Sequence, residues 1–455
     1  MSQIPAAPPS ASSSLLSKLM LFFAPPGAIP LVAHTEEEVN DRYRYWRRRL
    51  MIATMVGYAL YYFVRKNLSF AMPVMGKELG ITKAELGMYL TLHGLIYGIS
   101  RFANGALGDK TNARSFMTTG LILSAIMNVC FGLSSAAVTF GVFWMINGWV
   151  QGMGFPPCAR LMTHWFPPQV LASRMAVWNT SHSIGAGLIA VLCGFLAKYD
   201  WRLCFFVPAG LALLGSVYLW AALRDTPPSV GLPEVPGTVS AATSAQPVDH
   251  WAFLKEFVFG NKYIWFLSLA NFFVYVVRYG ILDWGPTFLH ETKGYEIDHA
   301  AWTVAAFEIS GVMGMLACGL LTDRVFGGRG ARACLFYMAL AGLSLFLFWR
   351  LADAAQWLSV LLLCAGGFFI YGPQALIGIA VANLATKRGA ATAAGFTGIF
   401  GYASTIVSGW GLGLMVQKGG WTLGFDAIIA ASVVGTLLFA ACWPARAHGY
   451  DTKAS

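Results

Sequence analysis

The chain has 455 residues, of which 57% are hydrophobic and only 11% are charged, and its mean hydropathy is +0.59. A soluble domain carries about 25% charged residues, so this composition excludes an ordinary soluble protein. The formal net charge of +10 comes from basic residues that flank apolar segments, which indicates membrane orientation rather than nucleic-acid binding.

The first 49 residues form a predicted cytoplasmic segment. Residues 2–13 are rich in proline and serine and are predicted to be disordered. Residues 15–30 are apolar, but the stretch is short and broken by prolines. It fits a segment lying on the membrane surface better than a span or a cleaved leader.

Apolar segments of about 20 residues, the length that a spanning helix needs, then recur along the chain. The sequence predicts an all-α membrane protein with two six-helix bundles, at 50–223 and 261–444, and a cytoplasmic tail at 445–455. The predicted spans are 50–73, 85–107, 115–136, 138–160, 171–197, 201–222, 262–286, 300–322, 332–351, 356–382, 390–415 and 421–443.

Basic residues decide the predicted orientation. They cluster before the first span and recur after the second, eighth and tenth spans, whereas the loop after the third has none. By the positive-inside rule both termini are cytoplasmic. The linker at 224–260 is rich in Pro, Ser, Ala and Gly and is predicted to be a flexible cytoplasmic loop.

The two halves repeat each other. The pattern G-x-x-x-D-[KR] occurs after the second and eighth spans, and its acids, Asp109 and Asp323, are 214 residues apart. Arg65 and Arg278 are 213 residues apart, each inside an apolar segment. The shared offset predicts parallel six-span repeats with a site at their interface. The two Asp residues are predicted to make gating or structural contacts.

Arg65 and Arg278 are the main candidates for substrate binding. A charge at membrane depth costs roughly 2.5–3.5 kcal/mol on insertion scales, so it usually has a function. A guanidinium binds oxyanions through a planar fork of donors. The pair therefore predicts a phosphate- or carboxylate-bearing substrate held between the two halves.

Longer motifs resemble one family. YYFVRKN (61–67), GMGFPPCARLMTHWF (152–166), VWNTSHSIGAG (177–187), FVYVVRYGILDWGPTFL (273–289), YGPQALIG (371–378) and AAGFTGIFGY (393–402) carry the resemblance. They look like the organophosphate:phosphate antiporters of the major facilitator superfamily. These include glycerol-3-phosphate, hexose-phosphate and phosphoglycerate transporters, which exchange a phosphate ester for inorganic phosphate across the bacterial inner membrane.

The resemblance implies further substrate-binding residues. The family's two site arginines correspond to Arg65 and Arg278, its site histidine to His182, its basic residue of the second span to Arg101, and its acid of the eighth span to Glu308. Thr397 stands where the hexose-phosphate transporter has a lysine. Tyr61 and Tyr275 lie near these charges in sequence, where a substrate contact and plain packing are equally compatible with the pattern.

Two functions from different classes remain open. One is an antiporter that works by alternating access. The other is a hexose-phosphate sensor acting through a membrane histidine kinase, because DRYRYWRR (41–48) resembles a sensor of the same family. A proton-coupled drug exporter fits poorly, since the charge within the spans is mostly positive. The sequence predicts a monomer that is not an enzyme, with no cofactor, no metal site and no nucleic-acid partner.

Overall fold

The computed structural model describes residues 15–32, 35–108, 111–235, 255–351 and 355–445, and within them it is helical, without strands. The α-helices are α1 Leu15–Phe23, α2 Glu36–Leu79, α3 Lys83–Gly108, α4 Ala113–Leu133, α5 Ala137–Gln151, α6 Phe155–Trp165, α7 Pro168–Leu196, α8 Leu203–Ala222, α9 Lys262–Lys293, α10 Ile297–Arg324, α11 Gly330–Arg350, α12 Gln356–Leu384, α13 Thr386–Ala403 and α14 Leu412–Ala441. A 3₁₀ turn at Pro227–Val230 and π-helical turns at Lys255–Phe259 and Ile406–Gly411 complete the secondary structure of these ranges.

Eight helical segments in the described residues are long and apolar enough to cross a membrane. They cover nine of the predicted spans, because Ala393–Ala441 joins the last two into one segment. The spans predicted at 50–73, 85–107 and 138–160 are helical as well, within α2, α3 and the α5–α6 pair, but are not among the eight. The total of twelve spans therefore stays a prediction.

The first long helix begins well before the predicted first span. Thr35 caps α2: its hydroxyl accepts a hydrogen bond from the Glu38 amide at 3.3 Å, and the Glu38 carboxylate accepts one from the Thr35 amide at 3.4 Å. This capping box places the DRYRYWRR stretch inside α2. The sequence contained this signal as T-E-E-E, and the prediction of a separate segment up to residue 49 overlooked it.

Basic residues of this extension cap neighbouring helices. Arg47 donates to the carbonyl of Trp165, the last residue of α6, at 2.7 Å. Arg49 donates to the carbonyls of Ala221 and Ala222, at the end of α8, at 2.9 and 3.2 Å. Cations at helix C-termini satisfy the last carbonyls and oppose the helix dipole, so these arginines also stabilise the first half.

The beginning of the linker is folded rather than flexible. Asp225 is buried, accepts a hydrogen bond from the Ala113 amide at 2.9 Å and pairs with Arg160 at 3.1 Å. The Tyr43 hydroxyl donates to the Pro233 carbonyl. These contacts correct the prediction for residues 224–235, whereas residues 236–254 of the predicted linker lie outside the described residues.

Helices α2–α8 form the first half and α9–α14 the second, and the halves meet in three places. Helix α7 packs on α10, α2 packs on α9, and α3 packs on the 406–411 turn together with α13 and α14. A Cβ on Gly87 would lie 2.4 Å from the Gly409 carbonyl oxygen, so the packing of α3 on the turn depends on backbone contact that only glycine permits.

Ion pairs join the halves at the end formed by the 80–82, 197–202 and 294–296 turns, which we call the closed end. Among the described residues these pairs are Lys83–Glu291 at 3.0 Å and Lys198 with Glu296 and Asp298 at 2.9 and 2.7 Å. The predicted gating residues cannot be compared with them: Asp109 lies outside the described residues, and only the backbone of Asp323, within α10, is described.

Candidate functional site

Arg278 lies in the middle of α9 among residues of two other helices. Its Nη2 donates a hydrogen bond to the Tyr371 hydroxyl of α12 at 2.8 Å and lies 3.6 Å from Oε1 of Glu308 on α10. The Tyr371 hydroxyl in turn donates to the same Glu308 oxygen. All three residues are at most 2% exposed. Arg278 is thus a buried cation with its own carboxylate.

Arg65, on α2, has a different environment. Its guanidinium carbon lies 3.8 Å from the ring centroid of Tyr97 and 5.4 Å from that of Tyr62. In the described part of the chain no carboxylate oxygen lies within 4.0 Å of it. An arginine above aromatic faces is held by the ring quadrupoles but keeps its full charge for a further anion.

His182 on α7 lies near the two arginines. Its Nδ1 is hydrogen-bonded to the Asn179 carbonyl of its own helix, and its Nε2 has no partner within the described residues. Its ring centroid is 5.7 Å from that of Tyr62, and the charges of both Arg65 and Arg278 act on these two side chains. The structure therefore brings Arg65, Arg278, His182 and Glu308 into one neighbourhood.

Arg101 and Tyr275 extend this neighbourhood along the interface. Arg101 of α3 donates to the Tyr402 hydroxyl of α13 at 2.6 Å and lies 4.0 Å from the ring centroid of Phe155. Tyr275 packs between Tyr279 and Tyr402, at centroid distances of 5.2 and 6.4 Å. These tyrosines thus contact both halves of the protein beside the arginines.

Two predicted substrate-binding residues have hydroxyls that form hydrogen bonds within the helix packing. The Tyr61 hydroxyl donates to the Met117 carbonyl at 2.7 Å, and its ring is 1% exposed against Gly154. The Thr397 hydroxyl lies 2.9 Å from Ser268 Oγ and donates to the Ala393 carbonyl at 2.9 Å. Both hydroxyls already have partners in the helix packing, which favours a packing role, and the prediction that they bind substrate stays a prediction.

The main feature that sequence reasoning missed is a buried ion pair between the halves. Lys66 Nζ, next to Arg65, lies 2.6 Å from Asp283 Oδ1 on α9, and the Ser69 hydroxyl donates to the same oxygen at 2.9 Å. Asp283 is an acid inside an apolar span, five residues after Arg278, and a charge in such a span is the signal that singled out Arg65 and Arg278. Tyr97 and Tyr402 were also missed, because aromatic residues are common in every span.

The similarities to known proteins agree with this architecture. A sequence model described as the Major Facilitator Superfamily matches residues 54–409. A "Probable hexose phosphate transport protein" of Chlamydia pneumoniae is 39% identical, with 95% of this chain and 99% of that protein covered. The chain belongs to the major facilitator superfamily. Within it, a "Glycerol-3-phosphate transporter" of Bacillus subtilis is 36% identical, with 90% and 95% covered.

One further relative is named as a sensor rather than a transporter. The "Membrane sensor protein UhpC" of Salmonella typhimurium is 37% identical, with 92% of this chain and 96% of that protein covered. The organophosphate branch of the superfamily, predicted from the motifs, is therefore confirmed. Among solved structures, a bacterial homologue of the lysosomal transporter Spinster, described as inward-facing and unoccupied, has a TM-score of 0.69 at 15% identity. It covers 87% of this chain and 95% of its own, and at that identity it supports the fold alone.

In this major facilitator protein the charges at the interface do not balance. Arg65, Lys66, Arg101 and Arg278 are basic, whereas the carboxylates beside them are Asp283 and Glu308. Asp283 pairs with Lys66, and Glu308 pairs with Arg278. In the described residues Arg65 and Arg101 therefore contact aromatic rings and hydroxyls but no carboxylate.

Proposed function

We propose that this protein is a twelve-span antiporter of the bacterial inner membrane that exchanges a small organophosphate for inorganic phosphate. The observation that carries the proposal is the pair of arginines, Arg65 and Arg101, which have no carboxylate partner among the described residues at the interface of the halves. A phosphate monoester carries about −1.5 to −2 charges at pH 7, so one such ligand would compensate both. Both termini would be cytoplasmic, as the positive-inside rule predicts.

Binding would join the halves through the two central arginines. Arg65 belongs to the first half and Arg278 to the second, and the charges of both act on His182. A phosphate has enough oxygens to accept two hydrogen bonds from each guanidinium group. At Arg278 it would compete with the Glu308 carboxylate. The occupied site would then favour rocking of one half against the other, which is alternating access.

The empty protein would reorient slowly. Reorientation must part the Lys66–Asp283 pair, which is buried at the interface. Separating buried charges is costly unless new partners replace the old ones. A bound anion supplies new contacts to the neighbouring arginines, and this asymmetry between the loaded and empty forms is the basis of obligate exchange.

Transport by purified protein in liposomes tests the proposal. Liposomes loaded with inorganic phosphate should exchange it for external phosphate, glycerol 3-phosphate, a hexose 6-phosphate or 3-phosphoglycerate, without ATP or sodium. Uptake into liposomes that lack internal phosphate should be slow, and Arg65→Lys protein is the matched control. Equal uptake with and without internal phosphate would rule out obligate antiport, and the ester exchanged fastest identifies the substrate.

The alternative is a sensor of hexose phosphate that signals to a histidine kinase. Similarity to the sensor UhpC over 92% of the chain favours it. So does the extension of α2, which exposes Arg42, Arg44 and Arg48 beyond the predicted first span, where a partner can reach them. Tight binding of a hexose phosphate in the same liposomes, without measurable flux, would replace the antiporter with the sensor.

A further inference from the structure

Helix α2 is interrupted one residue before Arg65. Val64 has φ −95° and ψ 16°, whereas a regular α-helix has values near −63° and −42°. Neither proline nor glycine occurs in the surrounding sequence Tyr62-Phe63-Val64-Arg65-Lys66. Since sharp breaks arise at such residues, at π-bulges or where side chains enter the backbone ladder, side chains are the expected cause here.

Three amide side chains bond to the carbonyls of this turn. Asn128 of α4 and Asn147 of α5 each donate to the Val64 carbonyl at 2.9 Å. Gln151, also of α5, donates to the Tyr61 carbonyl at 3.2 Å. In an uninterrupted helix those carbonyls accept from the amides four residues later, so the side chains bond to acceptors of the backbone ladder itself.

The amides are themselves held in place. Asn128 also donates to the Ser124 carbonyl at 2.9 Å and accepts from Asn67 at 2.8 Å. Asn67 in turn donates to the Cys204 carbonyl of α8 at 2.8 Å. Asn67, Asn128 and Asn147 have no solvent exposure and Gln151 has 2%, so water does not compete for these bonds.

We propose that Asn128, Asn147 and Gln151 are positioning residues that hold the break in α2 and thereby fix the direction of the Arg65 guanidinium. The inference rests on the proposed function, in which Arg65 binds phosphate. The planar guanidinium group of an arginine binds an oxyanion through two hydrogen bonds only when the group is correctly oriented. Arg278 is oriented by Tyr371 and by the Glu308 carboxylate. Among the described residues Arg65 contacts only the side chains of Tyr97 and Tyr62 and no carboxylate, so the direction in which the backbone presents it contributes more to its orientation.

Equilibrium binding of inorganic phosphate to purified full-length protein in detergent tests this role. Asn147→Leu keeps the size of the side chain and removes its donor. It should raise the phosphate Kd about 10-fold, or about 1.4 kcal/mol, with the number of binding sites per protein unchanged. Gln151→Leu, which removes one longer bond, should raise the Kd about 3-fold. The control is Asn271→Leu, which removes a similar bond to the Thr397 carbonyl in the second half and should leave the Kd unchanged.

The number of sites separates positioning from folding. If the variants lose binding sites while the remaining sites keep the wild-type Kd, the amides only stabilise the fold and the inference is wrong. If Asn147→Leu does not fold, the Kd of Gln151→Leu decides, and a wild-type value overturns the inference. Wild-type protein that binds neither phosphate nor a hexose 6-phosphate would overturn the proposed function together with the inference.

Discussion

Arg65 and Arg278 occupy equivalent places in the two halves, but their surroundings differ. Arg278 is 2% exposed and has a carboxylate 3.6 Å away, with a tyrosine hydroxyl bridging the two. Arg65 is partly exposed and lies over the rings of Tyr97 and Tyr62. Within the part of the chain that the structure describes, both halves thus have the arginine, but only Arg278 has a carboxylate beside it.

This difference assigns different tasks to the two arginines. An anion can meet Arg65 without displacing any carboxylate, whereas at Arg278 it must compete with Glu308. Arg65 is therefore the expected point of first contact, and Arg278 the residue whose partner changes on binding. The comparison also implies that the two arginines contribute differently to stability, because only one of them compensates a buried acid.

The largest expected effect is common to both arginines. Arg65→Lys and Arg278→Lys should each lower phosphate exchange at least about 100-fold, because lysine keeps the charge but loses the two-pronged hydrogen bond, worth roughly 1.5–3 kcal/mol per bond. Exchange by phosphate-loaded liposomes measures it, with exposed Arg350→Lys as the control. Near-normal exchange by either central variant would remove that residue from the site.

Stability should separate the two arginines. Arg278→Met leaves Glu308 buried without its cation, which should cost about 3–5 kcal/mol, whereas Arg65→Met exposes no such acid. Thermal unfolding in detergent should therefore show a lower Tm for Arg278→Met alone. Adding Glu308→Gln should restore most of the loss. Equal Tm values for the two single variants would contradict the asymmetry.

His182 tests whether the histidine near the two arginines contributes to binding. If its Nε2, which has no partner in the described residues, bonds to phosphate, His182→Ala should raise the phosphate Kd about 10–150-fold. Wild-type affinity would make His182 a packing residue.

The smallest effect is expected at the closed end. Lys198 bridges to Glu296 and Asp298 of the other half but is exposed, and such pairs contribute little in salt. The hydrogen bonds that Lys198 donates to Asp298 and Glu296 raise the pKa of its ammonium group, so its contribution is present at neutral pH and is lost as the pH rises through that pKa. Lys198→Ala should leave exchange and Tm near wild type at pH 7, and a large loss would make this pair a gate.

The sequence predicted the charged residues of the site but not their partners. Arg65 and Arg278 were recognisable because a charge in an apolar span is costly and rare, and Glu308 was recognised through the family resemblance. The packing of the helices decides which charges meet. It places Glu308 beside Arg278 rather than Arg65, and it brings Lys66 to Asp283 of the other half. Sequence spacing constrains neighbours on one helix only, so these pairings were not predictable from it.

The fold, like the site, was predicted in outline but not in its details. Hydropathy predicted the helical segments, and the shared spacing of the arginines and of the G-x-x-x-D-[KR] motifs predicted the repeat. Hydropathy missed the start of α2, where a capping box was readable, and the break at Val64, which no proline or glycine marks. Tyr61 and Thr397 were assigned to the site from nearby charges and motifs, yet their hydroxyls are bonded within the helix packing. Which side of a helix faces the interface is a property of the tertiary structure.

The unbalanced arginines have an electrical consequence. Moving one elementary charge across the membrane potential is worth about 2.3 kcal/mol per 100 mV. In a carrier that works as proposed, the empty form would reorient with the charges of Arg65 and Arg101 uncompensated, so its reorientation would depend on the membrane potential. In the form loaded with a dianion these charges would be compensated, and the site would be close to neutral. Exchange would then proceed at the same rate at any membrane voltage, and only the gradients of phosphate and its ester would set its direction.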